Sequence, residues 1–218
     1  MSFRPEIIPL GDSAVLIRLG DEIDLKINVQ VHQLAALLAA FPLEGIVETV
    51  PAYSTLLIHY DPLALAWADV RGWIGGKLEQ LGETRLRAPR RHEVPVHYGG
   101  EYGVDLGFVA EHHHLPVEEV IRIHSETVYT VYMMGFTPGF PYMGKVSDAI
   151  NAPRLETPRL QVPAGTVAIA GAQTGIYPID TPGGWHLIGR TSVVLFDPAR
   201  HPPALLSVGD TVRFEAER

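Results

Sequence analysis

An α+β chain in two dissimilar halves is what the sequence predicts, and three observations carry that expectation. Over the first hundred of its 218 residues, short β-branched runs alternate with segments whose apolar residues recur at steps of three and four. From Gly135 to Arg190, nine glycines and seven prolines fall within 56 residues, interleaved throughout with aliphatic and aromatic side chains. Between the two halves, Tyr98-Gly99-Gly100-Glu101-Tyr102-Gly103 breaks every periodicity, which places the expected domains at 1–100 and 101–218.

In the first half, Ser13 to Leu19 reads as a compact apolar strand. Ile27, Val31, Leu34, Leu38 and Phe41 then mark the buried face of a first helix. Gly45 to Val50 and Thr55 to Tyr60 form two strands around the turn Pro51-Ala52-Tyr53-Ser54. Asp61-Pro62 is the expected start of a second helix, with Asp61 as cap, Pro62 in the first turn, and Trp67, Val70, Ile74, Leu78 and Leu81 as its apolar stripe. Glu93 to Tyr98 alternates as a last strand. The order strand, helix, two strands, helix, strand suggests a ferredoxin-like α+β sandwich. Arg85, Arg87, Arg90 and Arg91 precede that strand and read as a solvated turn, with a phosphate-binding patch as the other reading.

In the second half, two helices are expected at Asp105 to His114 and Pro116 to Glu126, the latter with Glu118 and Glu119 near its positive end. Beyond them the glycine and proline content would suggest disorder if apolar residues were not interleaved with it. Val128 to Met134, Val162 to Ala170, Ser192 to Phe196 and Thr211 to Glu215 have the β-branched and aromatic content of strands. Val208-Gly209-Asp210 is a turn before the last of them, and a β-barrel fits this half.

Composition narrows the function classes. With 46% hydrophobic and 19% charged residues the chain is an ordinary globular protein, and its net charge of -8 opposes binding to nucleic acid or anionic lipid. No run approaches the roughly 18 apolar residues of a spanning helix, and 1–11 lacks a basic-then-apolar leader, so a cytoplasmic location is expected. There is no cysteine, which removes thiolate nucleophiles and cysteine-based zinc sites. His112, His113 and His114 are consecutive, and neighbours on a helix diverge too far to close on one ion, so no metal is expected. Neither a phosphate-binding Gly-x-x-x-x-Gly-Lys-Ser/Thr loop nor a Gly-x-Ser-x-Gly elbow is present.

Three segments are dense in residues that do not build cores: 135–144, 158–167 and 175–190. Glycine permits close approach of a ligand and proline fixes the chain around it, so these are stiff, shaped loops. They and their flanks can present Arg154, Arg159, Gln173, Tyr177, Asp180, His186 and Arg190 at fixed positions toward a ligand or partner. The alternative is that they merely close barrel strands, and residue type alone leaves both readings open.

These segments and their flanks read Gly-Phe-Thr-Pro-Gly-Phe-Pro-Tyr-Met-Gly from Gly135, Pro-Arg-Leu-Glu-Thr-Pro-Arg-Leu-Gln-Val-Pro-Ala-Gly-Thr-Val-Ala-Ile-Ala-Gly from Pro153, and Tyr-Pro-Ile-Asp-Thr-Pro-Gly-Gly-Trp-His-Leu-Ile-Gly-Arg-Thr from Tyr177. They resemble the signatures of the family that includes the B subunit of 5-oxoprolinase, KipI and allophanate hydrolase subunit 1 (carboxyltransferase domain, subdomains C and D). The likeness runs from Gly11-Asp12-Ser13-Ala14 through Asp61-Pro62, His124 and Tyr129 to Gly209-Asp210-Thr211-Val212-Arg213-Phe214.

The resemblance implies an N-terminal ferredoxin-like domain followed by a C-terminal cyclophilin-like β-barrel. It also implies a subunit of an ATP-dependent enzyme that converts 5-oxo-L-proline to L-glutamate. ATP would be the co-substrate, and the partners would be two other polypeptides of that 5-oxoprolinase, a KipA-like sister (the C subunit) and the lactam-opening one (the A subunit). Opening a resonance-stabilised lactam calls for activation of its carbonyl oxygen, and cationic donors suit a phosphoryl-transfer site. The catalytic candidates are Arg190, His186 and Asp180. Substrate- or nucleotide-binding candidates are Phe136, Pro138, Gly139, Phe140, Tyr142, Arg154, Arg159, Pro163, Gly165, Gln173, Tyr177, Gly183, Gly184 and Trp185. Lys145 is a further cation by type. The alternative within the family is a KipI-like inhibitor of a sensor histidine kinase, a binding module whose loops would be an interface.

Overall fold

A computed structural model of the chain describes residues 4–81 and 86–217. It divides into two compact units, Met1–Ala88 and Pro89–Arg218. Arg85 of the arginine-rich turn lies outside the described residues, and Arg87, Arg90 and Arg91 are exposed. Among the described residues no helix is long and apolar enough to cross a membrane.

The first unit runs β1 (Glu6–Leu10), β2 (Ala14–Arg18), α1 (Leu25–Ala40), β3 (Ile46–Pro51), β4 (Thr55–Tyr60) and α2 (Trp67–Leu78). Its four strands form one antiparallel sheet in the order β1-β2-β4-β3. Strand alternation puts Val15, Ile17, Leu56, Ile58 and Tyr60 into a core shared with Val31, Leu34 and Leu38 of α1 and Val70 and Ile74 of α2. Asp24 starts α1 by accepting the free amides of Lys26 and Ile27 at 2.7 and 3.1 Å.

Three expectations are corrected here. Phe41 is the C-cap of α1 and 56% exposed, outside the buried stripe, with the Lys77 ammonium 3.7 Å from its ring centre. The second helix starts at Trp67, not at Asp61: the Asp61 carbonyl takes the amides of Ala64 and Leu65, and its carboxylate takes that of Leu63, which closes a separate turn first. The fourth strand of the sheet is Glu6–Leu10, and the strand over Glu93 to Tyr98 pairs elsewhere.

That strand, β5 (Arg91–Tyr98), opens the second unit. It is followed by α3 (Leu106–His112), α4 (Val117–Glu126), β6 (Val128–Met134), β7 (Pro141–Gly144), β8 (Arg159–Val162), β9 (Thr166–Ala170), β10 (Gln173–Ile176), β11 (Thr181–Gly183), β12 (His186–Arg190) and β13 (Thr211–Glu217). Seven strands close a barrel in the order β10-β7-β6-β13-β5-β12-β9, sealed by β9 against β10. β5 and β13 pair in parallel while the other barrel neighbours are antiparallel. β8 and β11 form a separate two-stranded ribbon. Ser192 to Phe196 is not a strand: the backbone at Leu195 and Asp197 bonds to Leu205 and Pro203, and only the Phe196–Ala204 bridge remains.

The barrel interior holds Val94, Val96, Tyr129, Val131, Met143, Ile169, Ile188, Val212 and Phe214, and Leu106, Val109 and Val120 of the two helices join the same core. A second cluster comprises Phe140, Val162, Ala168, Ala170, Tyr177, Trp185 and Leu187. β9 reads Thr-Val-Ala-Ile-Ala and is buried at every position, because alternate residues face the interior and this second cluster.

Candidate functional site

Three residues of the second cluster, Phe140, Tyr177 and Trp185, line a pocket of about 280 Å³. Its walls are Phe136, Phe140, Tyr142, Tyr177 and Trp185, with Arg154, Leu155, Pro158, Pro182, Gly183 and Gly184 completing the lining. Phe140 is buried and organises the rings. Tyr142, Tyr177, Trp185 and Phe136 meet it edge to face, with centroids at 4.8, 5.2, 5.5 and 5.7 Å. That is the geometry in which one ring's positive rim meets another's negative face.

The five wall residues come from the first and third of the glycine- and proline-rich segments, and Pro158 of the second completes the lining with Arg154 and Leu155 from its flank. The turn over 135–140 is held by the Gly135 amide on the Phe140 carbonyl and the Phe140 amide on the Thr137 carbonyl. It forces Phe136 to φ +67 and leaves its ring 60% exposed. A phenylalanine in the left-handed region carries strain of order 1 kcal/mol, which an exposed ring does not recover by burial. At Gly183 a side chain has no room: a Cβ there would overlap the Tyr177 hydroxyl. That glycine brings β11 against the tyrosine.

Burial pushes the Tyr177 and Tyr142 phenols up, so both remain protonated hydrogen-bond donors at neutral pH. Arg154, exposed, lies close enough to both to pull weakly the other way. Among the described residues Arg154 takes part in no salt bridge. The pocket therefore combines apolar walls, two phenolic donors and one uncompensated guanidinium.

Of the sequence-predicted binding residues, Phe136, Phe140, Tyr142, Arg154, Tyr177, Gly183, Gly184 and Trp185 line this pocket together. Pro138 and Gly139 shape the 135–140 turn, whose Gly139 faces Phe196. Gln173 starts β10, paired with Gly144 and Ala170. Arg159 gives one guanidinium nitrogen to Asp105 at 2.7 Å and another to the Trp185 carbonyl at 3.5 Å. Asp105 also takes the Leu187 amide at 2.7 Å, so Arg159 ties the ribbon to the start of α3.

The three catalytic candidates stand outside the pocket lining. Asp180 is exposed and accepts from the Ala164 amide at 2.8 Å and from Gln161 at 3.3 Å, and the Ala164 bond holds its carboxyl below the usual range. Arg190 donates to the Ala164 carbonyl at 3.0 Å. Both clasp the turn carrying Pro163 and Gly165, where Gly165 has φ +81 and no room for a Cβ against the Thr191 carbonyl. His186 is buried in β12, its ring 4.5 Å from that of Phe108 and nearly parallel to it. Apart from the Pro153 carbonyl, no hydrogen-bond partner among the described residues reaches either of its ring nitrogens. Burial lowers its pKa, against the opposing pull of Asp105 and the Pro153 carbonyl.

Sequence reasoning missed Asp105 and Phe108, which act across 54 and 78 residues and leave no local pattern. Leu155 was also missed; Pro158 and Pro182 stand inside the motif segments, where their shared neighbourhood was the available signal. Among the described residues no group of three His, Asp or Glu side chains is placed to hold a metal ion. His113 bonds the Asn151 carbonyl, and His112 stacks on Phe108 with centroids 5.8 Å apart.

Comparison with known proteins adds four findings. The chain is 45% identical to the B subunit of 5-oxoprolinase from Bacillus subtilis (strain 168) over 224 residues, which covers 98% of this chain and 93% of that protein. The crystal structure of TTHA0988 is 40% identical with a TM-score of 0.81; 94% of this chain is covered, and it spans 40% of that longer chain. The crystal structure of the K. lactis urea amidolyase shares the fold at a TM-score of 0.84 and 19% identity, with 99% of this chain and 15% of that one covered. The family model for the carboxyltransferase domain, subdomain C and D, matches residues 5–206, and the chain belongs to that family.

Proposed function

We propose that the chain is the B subunit of an ATP-dependent 5-oxoprolinase, working with companion polypeptides to convert 5-oxoproline to glutamate. The observation that carries this reading is the 45% identity to a protein of that name over nearly the full length of both chains. The pocket supports it, because family-signature residues from three separated segments converge on one cavity with room for a small ligand. On this reading the units are a ferredoxin-like domain and a cyclophilin-like barrel. The strand over 91–98 belongs to the barrel unit, and the domains proposed on this reading follow the two compact units, 1–88 and 89–218.

ATP is a co-substrate of the assembly in this proposal, and the partners are the KipA-like sister and the lactam-opening polypeptide, in the cytoplasm. Arg190 and Asp180 serve the site by clasping the 163–166 turn, and Arg159 by fixing the ribbon beside the pocket. His186 is a buried neutral imidazole next to Trp185 that a companion or substrate could address with a proton. The alternative of a histidine-kinase inhibitor explains no feature of the pocket that the enzyme reading leaves out.

The test is reconstitution. The chain mixed with its purified companions should release glutamate and ADP from 5-oxoproline and ATP, and omission of this chain should abolish the release. Full turnover without it, or turnover by this chain alone, would overturn the proposal.

A further inference from the structure

The oxoprolinase reading leaves open which of the two small molecules the aromatic pocket receives. We infer that it receives the cyclic monocarboxylate and not the nucleotide, with Arg154 as the residue that anchors the carboxylate. The inference rests on the proposed function for the identity of the candidates and on the pocket for the choice between them.

Size is the first argument. About 280 Å³ lies just below the range of cavities that enclose drug-sized molecules, so a five-membered ring with a carboxylate fits inside while most of a nucleoside triphosphate would extend beyond it. Charge is the second. A triphosphate requires several cations or a fan of backbone amides at a helix N-terminus. The lining offers one guanidinium, no lysine, and no residue from the start of a helix. A single carboxylate matches one guanidinium, which can hold both of its oxygens.

Wall chemistry is the third. A pyrrolidinone ring presents polarised C–H edges and one carbonyl. The rings of Phe140, Trp185 and Phe136 supply aromatic surface for the former. The protonated Tyr142 and Tyr177 hydroxyls supply donors for the latter. Arg154 interacts with both phenols, so the carboxylate anchor and the carbonyl donors belong to one constellation. Because Arg154 is exposed and without a salt bridge among the described residues, its charge is available to a ligand and its replacement should cost the fold little.

The experiment is a split of Michaelis constants in the reconstituted complex. Arg154→Gln should raise KM for 5-oxoproline at least tenfold while KM for ATP stays within twofold; Arg154→Lys, which keeps the charge and loses the fork, should fall between. A rise in KM for ATP, or no change in either constant, would overturn the inference and leave the proposed function standing. If the wild-type complex does not turn over, the proposed function falls, and Trp185 fluorescence of the isolated chain decides this question separately. Titration with 5-oxoproline should then perturb the emission and titration with 2-pyrrolidinone, which lacks the carboxylate, should do so at least tenfold more weakly. An ATP response that 5-oxoproline fails to elicit, or no response to 5-oxoproline, would overturn it.

Discussion

His124 shows how completely a single residue can be specified by its surroundings. The Thr174 hydroxyl donates to the Ala168 carbonyl at 3.1 Å, so its oxygen accepts from His124 Nε2 at 2.9 Å. The proton is therefore on Nε2, and Nδ1 accepts from the Tyr98 hydroxyl at 2.7 Å. Burial lowers the His124 pKa to about 3. An imidazole whose folded pKa is depressed leaves the folded chain with fewer protons than the unfolded one between pH 3 and its ordinary 6.5. Stability from this source is complete above the ordinary value and falls as the pH drops through that window, by up to ~1.4 kcal/mol per unit. Urea unfolding at pH 7 and pH 5 should show a loss of roughly 2 kcal/mol that His124→Gln reduces; equal losses in both proteins would refute the assignment. Phe136 is a contrasting residue, strained and exposed. Phe136→Gly should keep stability within about 1 kcal/mol because relief of left-handed strain offsets added chain entropy, while the reconstituted complex loses activity. The sequence offered Phe136 as a binding candidate from its place in the motif and His124 as a helical histidine, but the left-handed backbone of the one and the hydrogen-bond partners of the other were not legible there.

At the scale of elements, glycine positions decide how the loops close. Gly165→Ala places a Cβ against the Thr191 carbonyl in a left-handed backbone, and thermal unfolding should show a loss on the order of 1–3 kcal/mol. Gly183→Ala displaces the Tyr177 hydroxyl instead, so its larger effect should be on ligand affinity. Helices α1, α3 and α4 were legible because their apolar spacing and end residues are local signals. Asp24→Ala, which leaves the Lys26 and Ile27 amides unpaired, should cost α1 about 1 kcal/mol in chemical denaturation. Asp61-Pro62 carried the same kind of signal and misled, since the Asp61 carbonyl closes a separate turn before the helix begins. The strand over 91–98 was recognised as a strand and given the wrong sheet. Its pattern is the same in either, and its partner β13 lies some 120 residues away, as the contact between Arg90 and Asp210 illustrates.

For the whole molecule, the net charge of -8 disfavours a polyanion attracted globally, and on the proposed function Arg154, the one cation of the pocket lining among the described residues, holds a small anion locally. The sequence alone determined the two-part organisation, the barrel character of the second half and the stiffness of the three glycine- and proline-rich segments, and it left their role as binding loops or as mere strand closures open. Those properties are written in periodicity, in backbone-restricting residues and in long signatures, all of which are local. Only the tertiary structure decided that Phe136, Tyr142, Arg154, Tyr177 and Trp185 share a cavity while Arg190 and Asp180 clasp a turn beside it. Side chains of identical type take opposite roles according to which partner the fold brings within hydrogen-bonding reach. That proximity depends on how the barrel closes β9 on β10 and lays the β8–β11 ribbon beside Trp185, a long-range arrangement that no local pattern of residues encodes.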